Sequence, residues 1–206
     1  MDTRSVLART AVGAAGGLLL VGVGGAAMAD ELGQDEVDVN VEIEELAPAG
    51  ELAMTVASDS ATLTEVDSGE LDVREFRGVL PTVTVTDDRE EVPDQSYWYV
   101  VGQSSAFTGA GGESIAAGHL GWTPRLLTEA DGEVAEGEQV NTVLDETAPN
   151  VGLVSEELLA LALDAGEARP VGTWEANADL FLKTPVDVTP GSYSATLTLT
   201  LWDDVW

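Results

Sequence analysis

The 206-residue chain has no cysteine, one histidine, and only 8 Lys and Arg against 38 Asp and Glu. Each shortage excludes something. Without Cys there is no disulfide, no thiolate metal site and no lipid-modified Cys, so stability rests on a packed core, which a chain of this length can supply. The lone His119 has no second His or Cys to share a metal, and no Ser-His-Asp spacing surrounds it, so it reads as structural. Nucleic acid is excluded as a partner, because neutralising phosphates takes clustered Lys and Arg and these are scattered. The formal net charge of −30 keeps the chain soluble and repels other polyanions, anionic wall polymers included unless divalent cations bridge them.

Long hydrophobic runs are also scarce. Ala11 to Val23 is the longest, broken by Gly13, Gly16, Gly17 and Gly22. It is short for a hydrocarbon layer of about 30 Å. With Arg4 and Arg9 before it and Ala27-Met28-Ala29 after it, residues 1–29 read as a secretory signal peptide cleaved before Asp30. No comparable run follows, so the expected mature chain has no membrane span. Asp2, Arg4 and Arg9 would leave with the signal, making the remainder one charge more negative. Residues 30–36 are acidic and poor in apolar side chains, and read as a flexible leader.

What the chain does have is alternation with a period of two, the mark of half-buried strands. Val37, Val39, Val41 and Ile43 alternate with Asp38, Asn40, Glu42 and Glu44 until Pro48-Ala49-Gly50. Leu52, Met54 and Val56 form a second run, Ala61 to Val66 a third and Asp72 to Phe76 a fourth; Leu80 to Asp88 sets Val83 and Val85 against Thr82, Thr84 and Thr86. The strongest signal spans 174–202: Trp174, Ala176, Ala178, Leu180 and Leu182 share one face, Phe181 apart. Tyr193, Ala195, Leu197, Leu199 and Leu201 share another. Thr189-Pro190-Gly191 between the two runs suits a type II turn, and the two read as a strand pair. Leu153 to Leu163 fits a helix or a strand; Leu159, Leu161 and Leu163 alternating with Ala favour strand. Glu129 to Gln139 reads as a long polar loop.

Aromatic residues are few and concentrated. Tyr97-Trp98-Tyr99-Val100-Val101 is a strand by composition, with Trp98 and Val100 on one face and Tyr97, Tyr99 and Val101 on the other. An exposed Tyr pair would stack on a sugar ring; packing within the sheet is the plainer use. Asp87 to Asp94 carries many carboxylates, yet lacks the glycine and ligand spacing of a calcium loop and reads as a solvated hairpin tip. No catalytic residue, metal ligand or cofactor is assigned. The sequence shows no nucleophile–base pair and no phosphate loop, and leaves open a glycosidase-type carboxylate pair drawn from two strands.

Three stretches together resemble the WxL surface domain of Gram-positive bacteria: Thr82 to Asp88 (TVTVTDD) leading into Arg89, Gly121-Trp122-Thr123, and Gly191 to Leu201 (GSYSATLTLTL). The resemblance spans about Leu80 to Trp202. Pro124 stands where the family's first motif has Leu, and Leu199 where the second has Trp, with Trp202 the nearest Trp. The resemblance implies an all-β domain over residues 37–206, secreted and held non-covalently to peptidoglycan or to surface proteins. The expected fold is thus a single antiparallel β-sandwich, its C-terminal strand central or paired with an early strand. The expected function is binding, with Trp122, Tyr97, Tyr99, Trp98 and Trp202 as ligand-contacting candidates and a cell-wall polymer or another surface protein as partner. A matrix or fibre subunit that self-associates by strand exchange, with residues 30–44 as the exchanged strand, is the rival expectation.

Overall fold

The computed structural model describes residues 50–206. The signal-like segment, the acidic leader and the alternating run 37–43 lie outside the described residues.

In chain order the strands are β1 (Leu52–Val56), β2 (Thr64–Val66), β3 (Val73–Val79), β4 (Val83–Asp87), β5 (Ser96–Ser104), β6 (Phe107–Gly109), β7 (Ser114–Ile115) and β8 (Leu120–Leu126). They continue as β9 (Ala135–Glu136), β10 (Glu157–Ala162), β11 (Thr173–Pro185), β12 (Tyr193–Ser194) and β13 (Leu197–Val205). One helical turn, α1 (Ala165–Ala168), sits between β10 and β11, capped by the Asp164 carboxylate, which accepts from the Gly166 and Glu167 amides. The molecule is all-β, with antiparallel sheets packed face to face.

β11 is the spine. Its even-numbered side chains from Trp174 to Thr184 are all buried, as period-two burial demands of a strand with one face on a core. Ala176 pairs with both β4 and β8, and Asp179 to Leu182 pair with both β3 and β8. β3 and β4 therefore share one edge of β11 and β8 takes the other. β1 extends β4 and β2 extends β3, giving a six-stranded sheet. The second sheet has the order β13-β5-β10-β9, and a small third sheet has the order β12-β6-β7. Between the two larger sheets lie Trp122, Trp98, Trp174, Val83, Val100 and Leu159.

Two glycines set how closely the layers and strands approach. A Cβ on Gly102 of β5 would fall 2.6 Å from Cη2 of Trp122, so the indole of the first sheet packs on bare backbone of the second. Gly121 pairs with Phe181, and a Cβ there would collide with the Phe181 ring; that odd residue of the spine thus covers a glycine on the outer face.

Several sequence expectations change. The two C-terminal runs are not a strand pair. β11 belongs to the six-stranded sheet, whereas the second run breaks at Ala195-Thr196 into β12, paired with β6, and β13, paired with β5. Gly191 is absent from the glycines of positive φ, so the type II turn is not formed; the segment crosses between sheets instead of reversing within one. β13 pairs with β5 at the sheet's edge and is not central, so Leu197, Leu199 and Leu201 are only half-buried. Residues 157–162 are strand, as favoured, but a bulge between Leu158 and Ala160 shifts the register. Leu159 stays in the core, Leu161 turns to the outer face and Leu163 is exposed, so the three Leu do not share a face. Asp87 is not part of a solvated tip: it ends β4 buried, held by Arg89. α1 was not foreshadowed.

Candidate functional site

Alternation along β5 places Tyr97 and Tyr99 on the outer face of the four-stranded sheet and Trp98 on the inner one, as the sequence implies. The same parity along β13, opposite β5, puts Thr198, Thr200, Trp202 and Asp204 on that outer face, with Trp202 paired to Tyr99 and Asp204 to Tyr97. Trp206, one step beyond the strand, donates its amide to the Gln95 carbonyl and lays its ring on Tyr97 at 4.5 Å. Tyr97 and Tyr99 stack at 6.0 Å with an interplanar angle of 10°. The result is a row, Trp206–Tyr97–Tyr99, flanked by Trp202 on one side and by Leu161, opposite Tyr99 on β10, on the other. Rings within the row spend their faces on one another; the Trp202 indole, 45% exposed, is outside the stack.

The five candidates thus divide. Tyr97, Tyr99 and Trp202 are brought together, the two Tyr half-buried and Trp202 exposed. Trp98 and Trp122, at 1% and 0% exposure, are core residues and offer no ring to a ligand. Their inward direction follows from register: Trp122 pairs with Leu180 of the spine, and side chains paired across antiparallel strands share a face. Trp206 is the residue sequence reasoning missed. Carrying the alternation of Thr198 and Thr200 through Trp202 and Asp204 leads directly to it.

Charge around the row is acidic. Partial burial raises the Tyr97 hydroxyl above its ordinary pKa, reinforced by the negative charge of Asp204 beside it and by Tyr99, so Tyr97 is a neutral donor and acceptor. Behind the row, Arg89 donates to both Asp87 oxygens, at 2.8 and 2.6 Å, and to Asp203 at 2.8 Å. This clamp, 114 residues apart in sequence on its Asp203 arm, fixes the far end of β13 and hence Trp202. The Asp87 hydrogen bonds hold Arg89 firmly charged. No group of three or more His, Asp or Glu disposed to hold a metal occurs among the described residues. His119 donates its Nδ1–H to the Lys183 carbonyl at 2.7 Å, a structural contact.

A second feature is a cleft of about 940 Å³ between the sheets, near the N-terminal end of β13. Its walls include Met54, Phe76, Phe107, Leu182, Tyr193 and Leu199, with Arg74 at the mouth paired to Glu65. It exists because β12 and β13 part company there and leave the inner leucines of β13 incompletely covered.

No family model matches the sequence, and no curated protein matches it. Among solved structures, the chain is similar to a family 123 glycoside hydrolase from Clostridium perfringens, described for glycolipid glycan hydrolysis. The match has 13% identity and a TM-score of 0.33, and covers 73% of this chain and 24% of that one. No helix among the described residues is long and apolar enough to cross a membrane.

Proposed function

We propose that the protein is a secreted cell-surface binding protein that associates non-covalently with the peptidoglycan wall, or with a surface complex on it, through the outer face of β5 and β13. The observation that carries this reading is the aromatic group on that face, in which Trp202 and Trp206 are exposed beside the half-buried, stacked Tyr97 and Tyr99. Exposed Trp and Tyr rings bind the C–H faces of sugars while their N–H and O–H groups hydrogen-bond to hydroxyls, and neither interaction needs positive charge. That matters for a chain of net charge −30, which has no basic surface with which to attract an anionic polymer. The secretory reading of residues 1–29 and the resemblance to the WxL surface domain support the same location.

The test is cosedimentation of the secreted protein with purified Gram-positive walls, with and without chelator, at low and high salt. Trp202→Ala and Tyr97→Ala are expected to abolish pelleting without unfolding the protein. Binding should persist with chelator and strengthen with salt, because screening removes repulsion between like-charged surfaces. Pelleting lost only with chelator would assign the contact to cation bridging; no pelleting under any condition would reject wall binding.

A further inference from the structure

We propose that the edge of β13 left unpaired among the described residues pairs antiparallel with the same edge of a second copy of this chain, across a two-fold axis at Leu201. β13 ends the four-stranded sheet and is in register with β5 along all nine of its residues without a bulge. Among the described residues nothing pairs with its other edge. Such an edge is usually blunted by Pro, by a bulge or by charged side chains; Leu197 to Val205 has no Pro and no bulge, and its only charges are Asp203, paired with Arg89, and Asp204, both near its end.

Parity fixes which backbone groups are free. The Thr196 carbonyl accepts from Ser105, and the Trp206 amide donates to Gln95, so the even-numbered residues turn their backbone groups toward β5. The N–H and C=O groups of Leu197, Leu199, Leu201, Asp203 and Val205 therefore point out of the edge. A two-fold antiparallel pairing that joins these odd-numbered groups can centre on an odd residue as a hydrogen-bonded pair or on an even one as a non-hydrogen-bonded pair, and only Leu201, the midpoint of Leu197–Val205, pairs the strand over its full length. Centring on Asp203 would set Asp203 against Asp203 of the second copy, which is destabilising. Centring on Leu199 engages only the first part of β13. Centring on Leu201 pairs the whole strand and opposes each acid to an uncharged residue: Asp203 to Leu199, Asp204 to Thr198. Asp203 is further neutralised by Arg89.

On the outer face this register sets Trp202 opposite Thr200 of the second copy, so the two Trp202 side chains flank the axis as diagonal neighbours. The two aromatic groups join into one surface across an eight-stranded sheet. On the inner face the half-buried Leu201 side chains meet at the axis. Pairing is a property of the protein alone and is measured without wall material, so its failure and that of wall binding are distinguishable.

The experiment is sedimentation velocity of the full chain across a concentration series, at about 0.01 M and about 1 M salt, between which the Debye length falls from about 30 Å to about 3 Å. A monomer–dimer equilibrium tightening with salt is expected. Thr200→Glu, which sets two like charges close to the axis on an outward face, should weaken the dimer about tenfold at low salt while leaving the melting temperature of the monomer nearly unchanged. The absence of native Cys gives a second readout. Leu201→Cys should oxidise to a covalent dimer, because hydrogen-bonded partners lie about 5.5 Å apart at Cα, within disulfide range. Leu199→Cys, four residues from its counterpart along the ladder, should not. A full chain that stays monomeric at every concentration and salt overturns the proposal and leaves the edge to some other occupant; so does a dimer that Thr200→Glu leaves intact, or equal cross-linking at 199 and 201.

Discussion

Trp122 and Trp202 carry the same indole into opposite environments, and register alone decides which. Trp122 lies opposite Leu180 and against the backbone of Gly102, with no exposed surface; Trp202 lies opposite Tyr99 on the outer face. Truncating a buried aromatic forfeits its transfer free energy and leaves a cavity, a loss of about 3–5 kcal/mol, whereas an exposed side chain away from special features changes stability by about 0.5 kcal/mol or less. Urea unfolding should therefore show a sharp fall in midpoint for Trp122→Ala and almost none for Trp202→Ala. A small effect at Trp122 would mean that the sheets do not close on Gly102 as described. The sequence marked both residues as ligand candidates because a motif and an aromatic count say nothing about facing. Tyr97 and Tyr99 were placed correctly because a single strand's alternation is local information.

At the scale of the element, β11 and β13 looked equivalent in sequence and are not. Both alternate apolar residues over one face, but β11 is flanked by strands on both edges and buries Leu180 to 5% exposure, whereas β13 borders solvent and the cleft with Leu199 half-buried. A charge placed at each position tests the difference, since burying an unpaired carboxylate costs several kcal/mol and a side chain that can turn into water avoids most of that cost. Leu180→Asp is expected to prevent folding. Leu199→Asp should lower the melting temperature and leave a cooperative transition, and Thr198→Asp on the outer face should lower it less. Equal losses at 180 and 199 would show that β13 is as enclosed as the spine. Strand existence was legible because alternation is written in each segment. Sheet partners were not, because the choice between pairing β13 with β11 and with β5 depends on contacts nearly a hundred residues apart, and the bulge at Leu158 that reverses Leu161 leaves no mark on composition.

For the whole molecule, the dominant fact is 38 acidic side chains against 8 basic ones, and two opposing effects follow from it. Self-repulsion among surface carboxylates destabilises the compact state at neutral pH, and salt relieves it. Particular carboxylates stabilise the fold by being charged. Asp145 is the clearest: partial burial would raise its pKa, but the Lys183 ammonium at 2.7 Å and the amide and hydroxyl of Thr142, both at 2.8 Å, outweigh that and hold it below its ordinary value. A carboxylate whose folded pKa is depressed contributes stability that is present above the unfolded pKa, near 3.9 for Asp, and lost as pH falls through the folded value. Screening and acidification should therefore part company. At pH 7, adding salt should raise the melting temperature, with repulsion reduced and the shielded Asp145–Lys183 contact little affected. Lowering the pH toward 4 should first raise stability, as exposed carboxylates discharge and repulsion falls, and lowering it further should reduce stability as Asp145 protonates. Asp145→Asn should abolish part of the final fall and leave the initial rise intact. Calorimetric melting temperatures across pH at two salt concentrations separate the terms, and a melting temperature that drops with salt at pH 7 would show that ion pairs, not net repulsion, govern this acidic fold.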